Sequence, residues 1–136
     1  MLKEKAKYYY EQGYNCAEAI VHAGNDYYDL GLHEHDMRMV AGFGAGIQCG
    51  DVCGALLGSS AIISAKYIEV KAHDQPVELR KITTKLVKRF QDDMGSRLCA
   101  KVKPKFFNNE ERCLNTVEAS AQILEEGIEE WEKERV

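Results

Sequence analysis

Apolar positions along the chain recur at intervals of three and four residues, and long two-residue alternation is absent. That pattern predicts helices throughout. Residues 2–11 read as a short first helix ending at Gly13. Asn15 with Glu18 three positions later has the form of a capping box, so a second helix is expected from there to about Tyr28, with Ala19, Ile20 and Ala23 inward. A third, short helix is expected over roughly His35–Phe43.

Glycines then recur every four residues, at Gly42, Gly46, Gly50, Gly54 and Gly58, with Gly44 in addition. Each costs about 1 kcal/mol inside a helix relative to Ala. The chain is therefore expected to break near Gln48–Asp51, with Asp51 capping a new helix that runs to about Val70. Leu56, Leu57, Ala61, Ile62 and Ile63 make that helix apolar nearly all round, so it should be the central one. Pro76 suits a first helical turn. Leu79, Ile82, Leu86, Phe90 and Met94 form a stripe that Gly95 terminates. A loop is expected through Cys99 and Pro104. Asn108 and Glu111 repeat the capping-box pattern before a last helix carrying Leu114, Val117, Ala121, Leu124, Ile128 and Trp131, a seam for packing on another helix. The expected fold is all-α: one domain over residues 1–136, a compact bundle of five or six helices around a glycine-rich apolar one.

The chain has 136 residues, of which 45% are hydrophobic and 29% charged, a globular balance that excludes global disorder. The net charge of −4 argues against nucleic-acid binding. Charge is unevenly placed. Residues 66–105 carry 11 Lys/Arg against 5 Asp/Glu, and residues 106–136 carry 3 against 9. A basic middle and an acidic tail either pair, within the chain or between subunits, or form solvated faces. The first residues carry positive charge with no apolar stretch behind them, so no signal peptide is read and a cytoplasmic location is expected. Residues 41–65 have Asp51 as their only charge, but six glycines and three serines suit a buried segment better than a membrane span.

The cysteines are the candidate chemistry. Five occur, at positions 16, 49, 53, 99 and 113. An odd number in a reducing compartment points away from structural disulfides and towards reactive thiols, metal ligands or core residues. Cys16, Cys53 and Cys113 fall at or near expected helix N-termini, where the positive dipole end favours a thiolate. Cys99 lies among Arg97, Lys101, Lys103 and Lys105, which favour the anion too. Such thiolates should alkylate faster than a free cysteine.

Cys53-Gly54-Ala55-Leu56-Leu57-Gly58 is a Cys-Gly-Ala-x-x-Gly hexapeptide, preceded by Asn15-Cys16-Ala17-Glu18 and followed by single cysteines at 99 and 113. In that order the chain resembles the C-GCAxxG-C-C family of redox-active proteins over nearly its whole length. The resemblance implies that Cys16, Cys53, Cys99 and Cys113 are the functional cysteines, with Cys49 outside the pattern. It also implies electron transfer or a bound prosthetic group. Four thiolates can hold an iron–sulfur cluster or zinc. The spacings of 37, 46 and 14 residues fit no short ferredoxin or zinc-finger run, so tertiary packing would have to assemble the site. Gly54 and Gly58 would then let a cofactor, or equally a neighbouring helix, approach beside Cys53. A cluster is the first reading, with zinc behind it. No Cys-x-x-Cys-His occurs, so covalent haem is not expected.

Thiol–disulfide exchange is the alternative, with Cys99 and Cys113 as a reversible pair. A non-catalytic assembly module with buried cysteines is the third reading. His33-Glu34-His35-Asp36 reads as a solvated helix start, and Gly42–Gly46 lacks the preceding strand of a dinucleotide site. Surplus apolar helix surface, including consecutive Tyr8, Tyr9 and Tyr10, predicts a homodimer. An electron-transfer partner protein is also expected.

Overall fold

The computed structural model describes residues 1–135. Among them the chain forms seven α-helices and no strand: α1 Leu2–Glu11, α2 Cys16–Tyr28, α3 Glu34–Met37, α4 Gly54–Tyr67, α5 Pro76–Met94, α6 Cys99–Phe106 and α7 Leu114–Glu134. The all-α class holds, but five or six helices was an undercount. α6 occupies the segment expected to be a loop, with Pro104 inside it. None of these helices is long and apolar enough to cross a membrane.

α2 starts where the pattern placed it. The Asn15 side chain accepts from the Glu18 N–H at 3.0 Å, and Glu18 accepts from the Asn15 N–H at 3.0 Å. The same Asn15 amide donates to the Ala41 carbonyl at 2.9 Å and so fixes the 3₁₀ turn Arg38–Phe43, which continues α3, on the start of α2.

α4 is central. It packs against α2, α5 and α7, which accounts for apolar residues on all its sides. Two glycines allow its close approach to α2. A Cβ on Gly58 would lie 2.8 Å from the Ala17 carbonyl oxygen, and one on Gly24 would lie 2.6 Å from the Ile62 side chain. α1 and α5 flank α7, whose Leu114, Val117, Ala121, Leu124 and Ile128 are all buried. The seam read in the last helix is thus filled within the chain.

The basic middle and the acidic tail also meet within the chain. Arg89 on α5 bridges Glu126 at 2.8 Å and Glu130 at 3.3 Å on α7, and Lys85 reaches Glu134 at 2.6 Å.

Two helix starts differ from expectation. α4 begins at Gly54, not after Asp51, because residues 51–53 are drawn into an extended pairing with residues 97–99. Cys53 N–H donates to Arg97 O and Cys99 N–H to Asp51 O, both at 2.7 Å, around a Val52–Leu98 bridge. α7 begins at Leu114 because Asn108 closes a turn instead of capping a helix. Its backbone exchanges hydrogen bonds with Arg112, and its side chain accepts from the Glu110 and Glu111 N–H groups.

Candidate functional site

Those two displaced starts place the cysteines. Cys16 is the first residue of α2 and Cys99 the first of α6, while Cys53 and Cys113 are the residues immediately before α4 and α7. Four helices therefore begin at four cysteines. All four cysteines line one cavity of about 260 Å³, together with Tyr10, Tyr14, Ala45, Lys103, Phe107, Arg112 and Thr116 among others.

Separate devices bring the four segments together. The short backbone pairing just described clamps Cys53 beside Cys99. Cys113 is held from α1, by its N–H donating to the Tyr10 hydroxyl at 3.0 Å. Cys16 meets the start of α4 at Gly54, where a Cβ would sit 2.7 Å from its Sγ and 2.6 Å from the Phe43 carbonyl oxygen. Gly54 is thus a close-approach residue at the site. Gly58, read with it as a candidate, packs on Ala17 one turn further on, and neither glycine lines the cavity itself.

The wall between α2 and α6 is a tight turn with unusual backbone. Ala45, Gly46, Ile47 and Gln48 all have positive φ, at 53°, 64°, 55° and 63°. Three of these four are not glycine, and such conformations cost each about 1 kcal/mol or more. Gly46 is required where it stands, since a Cβ would come within 2.6 Å of the Asp51 backbone and the Cys99 Cβ. Nothing in the sequence signalled left-handed backbone at Ala45, Ile47 or Gln48. Cys49 lies in the same turn but is exposed, bonds Gly46 O, and does not line the cavity.

The electrostatics correct the expectation of reactive thiolates. Burial pushes the Cys53 thiol up to about 12, reinforced by the neighbouring Cys16, while the Ala55 and Leu56 N–H groups pull the other way. Cys16 is raised by burial against the N–H groups of Ala45 and Ala17. Cys99 is raised by burial and by Cys113, with Lys103 opposing. The helix-terminus effect is present, but at about 0.3–1 kcal/mol per helix end it is outweighed by desolvation. In the unliganded chain these groups are protonated thiols at neutral pH, and all five cysteines are free.

The sequence reading did not single out Tyr10 or Arg112. Tyr10 was one of three consecutive tyrosines, and only the fold shows that it is the buried one, with Tyr8 exposed. The His33–Asp36 segment lies exposed at the start of α3, as read.

A family model with the description "Putative redox-active protein (C_GCAxxG_C_C)" matches residues 14–127. The chain belongs to this family. The match takes in all four cavity cysteines and the Cys-Gly-Ala-x-x-Gly hexapeptide at the start of α4. No curated protein and no solved structure gives a match.

The donor set suits an iron–sulfur group: four cysteines, on four backbone segments, around one cavity. Among the described residues, no three His, Cys, Asp or Glu side chains are grouped to hold a single metal ion. The helix N-termini, Lys103 and Arg112 surround the space with positive charge. The raised thiols of Cys16, Cys53 and Cys99 would lose their protons when a metal replaces them as the partner of sulfur.

Proposed function

We propose that this chain is a small cytoplasmic electron-transfer protein in which Cys16, Cys53, Cys99 and Cys113 hold an iron–sulfur cluster. The convergence of four helix-starting cysteines on one cavity carries the reading. Family membership supports redox activity.

When bound, the cluster would supply one-electron chemistry. The protein's own part is electrostatic and steric. Four helix N-termini would face the sulfurs once a bound group makes them anionic, and the N–H groups of Ala45 and Ala17 at Cys16, and of Ala55 and Leu56 at Cys53, are placed to hydrogen-bond them. Lys103 and Arg112 add cations at the rim, and the buried side of the cavity excludes water. Gly54 keeps Cys16 and the start of α4 close enough to share one site.

Anaerobic purification with iron and acid-labile sulfide analysis tests this directly. Stoichiometric iron and sulfide with visible absorbance are expected. Colourless protein without sulfide after reconstitution would contradict the cluster. Thiol–disulfide cycling is the second reading, favoured by Cys99 and Cys113 lining the same cavity as free thiols. It predicts that an oxidised form yields a Cys99–Cys113 peptide on proteolysis.

Pairing of two copies is part of the proposal. The α7 seam no longer argues for it, since that seam is filled internally. What remains is exposed Met39 beside a mostly apolar groove formed by Val21, Val40, Phe43, Leu57 and Ala61. Sedimentation across a wide concentration range should show a dimer. A single 15.4 kDa species throughout would contradict it.

A further inference from the structure

Lys85 and Arg89 of α5 are answered by carboxylates of α7, but among the described residues the cations around α6 have no such partner. From Arg97 to Arg112 the chain carries five cations, Arg97, Lys101, Lys103, Lys105 and Arg112, against Glu110 and Glu111. That is a net +3 in a protein of net −4. Among the described residues none of the five forms an ion pair, whereas Lys85, Lys88, Arg89 and Arg135 all do. All five are exposed.

Their position is specific. Lys103 and Arg112 are exposed and line the cysteine cavity, so they stand at its mouth. Each lies over an aromatic ring of the same cavity: Lys103 over Phe107 at 4.8 Å and Arg112 over Tyr10 at 5.0 Å. Phe107 is itself exposed. The mouth thus joins unpaired cations to an apolar contact beside the sulfurs, on a segment of net +3 in an acidic chain.

We propose that this mouth is the docking surface for an acidic redox protein, which meets Lys103 and Arg112 with surface carboxylates and covers Phe107. The proposal rests on the redox reading and names the chemistry of its partner. Complementary charge at an electron-transfer face raises the encounter rate and fixes orientation, and it weakens with salt. Weak, small interfaces are the rule for such encounters.

The test measures binding, not electron transfer, on the full chain as purified. Calorimetry or NMR titration would use three probes: an acidic plant-type ferredoxin, basic cytochrome c and a single-stranded oligonucleotide. Two double variants change net charge equally, Lys103→Glu/Arg112→Glu at the mouth and Lys5→Glu/Lys7→Glu on α1. Ferredoxin should bind at low salt and be released at high salt. The mouth variant should weaken it by about tenfold or more, and the α1 variant by less than about threefold. Circular dichroism checks that both variants fold, and Lys103→Ala/Arg112→Ala gives a milder version of the same comparison. Equal losses at the two faces, salt-independent binding, no ferredoxin binding, or tighter binding of cytochrome c or the oligonucleotide would each overturn the proposal. Iron and sulfide content is read separately, so a failed cluster and a failed docking surface are distinguishable.

Discussion

A cysteine at the start of a helix is pulled two ways, and burial decides the outcome here. Cys53 is 3% exposed, and its thiol is held up to about 12 despite the N–H groups beside it. With metal-free, reduced protein at neutral pH, Cys53 should be the slowest of the five to react with iodoacetamide and the exposed Cys49 the fastest, as read by peptide mass spectrometry. Equal rates at the two would show that the cavity is open to reagent. Gly54 gives a second residue-scale test. Its substitution by Ala forces a methyl into the Cys16 sulfur and the Phe43 carbonyl, one of them backbone, so it should cost about 1–3 kcal/mol of stability in urea unfolding. Gly127→Ala on α7, where a Cβ meets nothing within 4 Å, is the control and should be neutral or stabilising.

Legibility varied among the helices for physical reasons. The Asn15–Glu18 box was readable because both bonds close within four residues. The identical Asn108–Glu111 pattern misled, because Arg112 turns left-handed at φ 54° and closes a loop that uses up the Asn108 side chain. Likewise Asp51 looked like a cap until its backbone paired with Cys99, a contact across 48 positions that no local pattern encodes. Pro104 looked like a breaker but sits near the end of a two-turn helix.

The α7 contacts make a pH prediction. Tyr67 accepts burial and donates to Glu132, and half-buried Tyr28 lies near Glu125, so both phenols titrate well above the usual tyrosine range. A group raised in the folded state contributes stability that is complete below its unfolded pKa, about 10, and is lost as pH rises through the folded value. Urea midpoints should therefore fall steeply above about pH 10, and Tyr67→Phe should flatten that fall while costing about 0.5–1.5 kcal/mol at neutral pH. An unchanged slope in the variant would remove Tyr67 from the account.

At the scale of the whole molecule, the order of the four cysteines and their closeness to helix starts were legible, because both are local properties of the sequence. Their meeting in one cavity was not. It depends on the 51–53 and 97–99 pairing, on Tyr10 reaching Cys113 from α1, and on a left-handed turn at 45–48. The central claim is that these four cysteines, and not the fifth, act as one site. The most direct measurement is bound iron per chain in five single variants, Cys16→Ala, Cys49→Ala, Cys53→Ala, Cys99→Ala and Cys113→Ala, purified anaerobically. The account predicts that Cys49→Ala keeps the iron content of the parent and that each of the other four loses most of it. Retention of full iron in two or more of those four, or loss in Cys49→Ala alone, would contradict it.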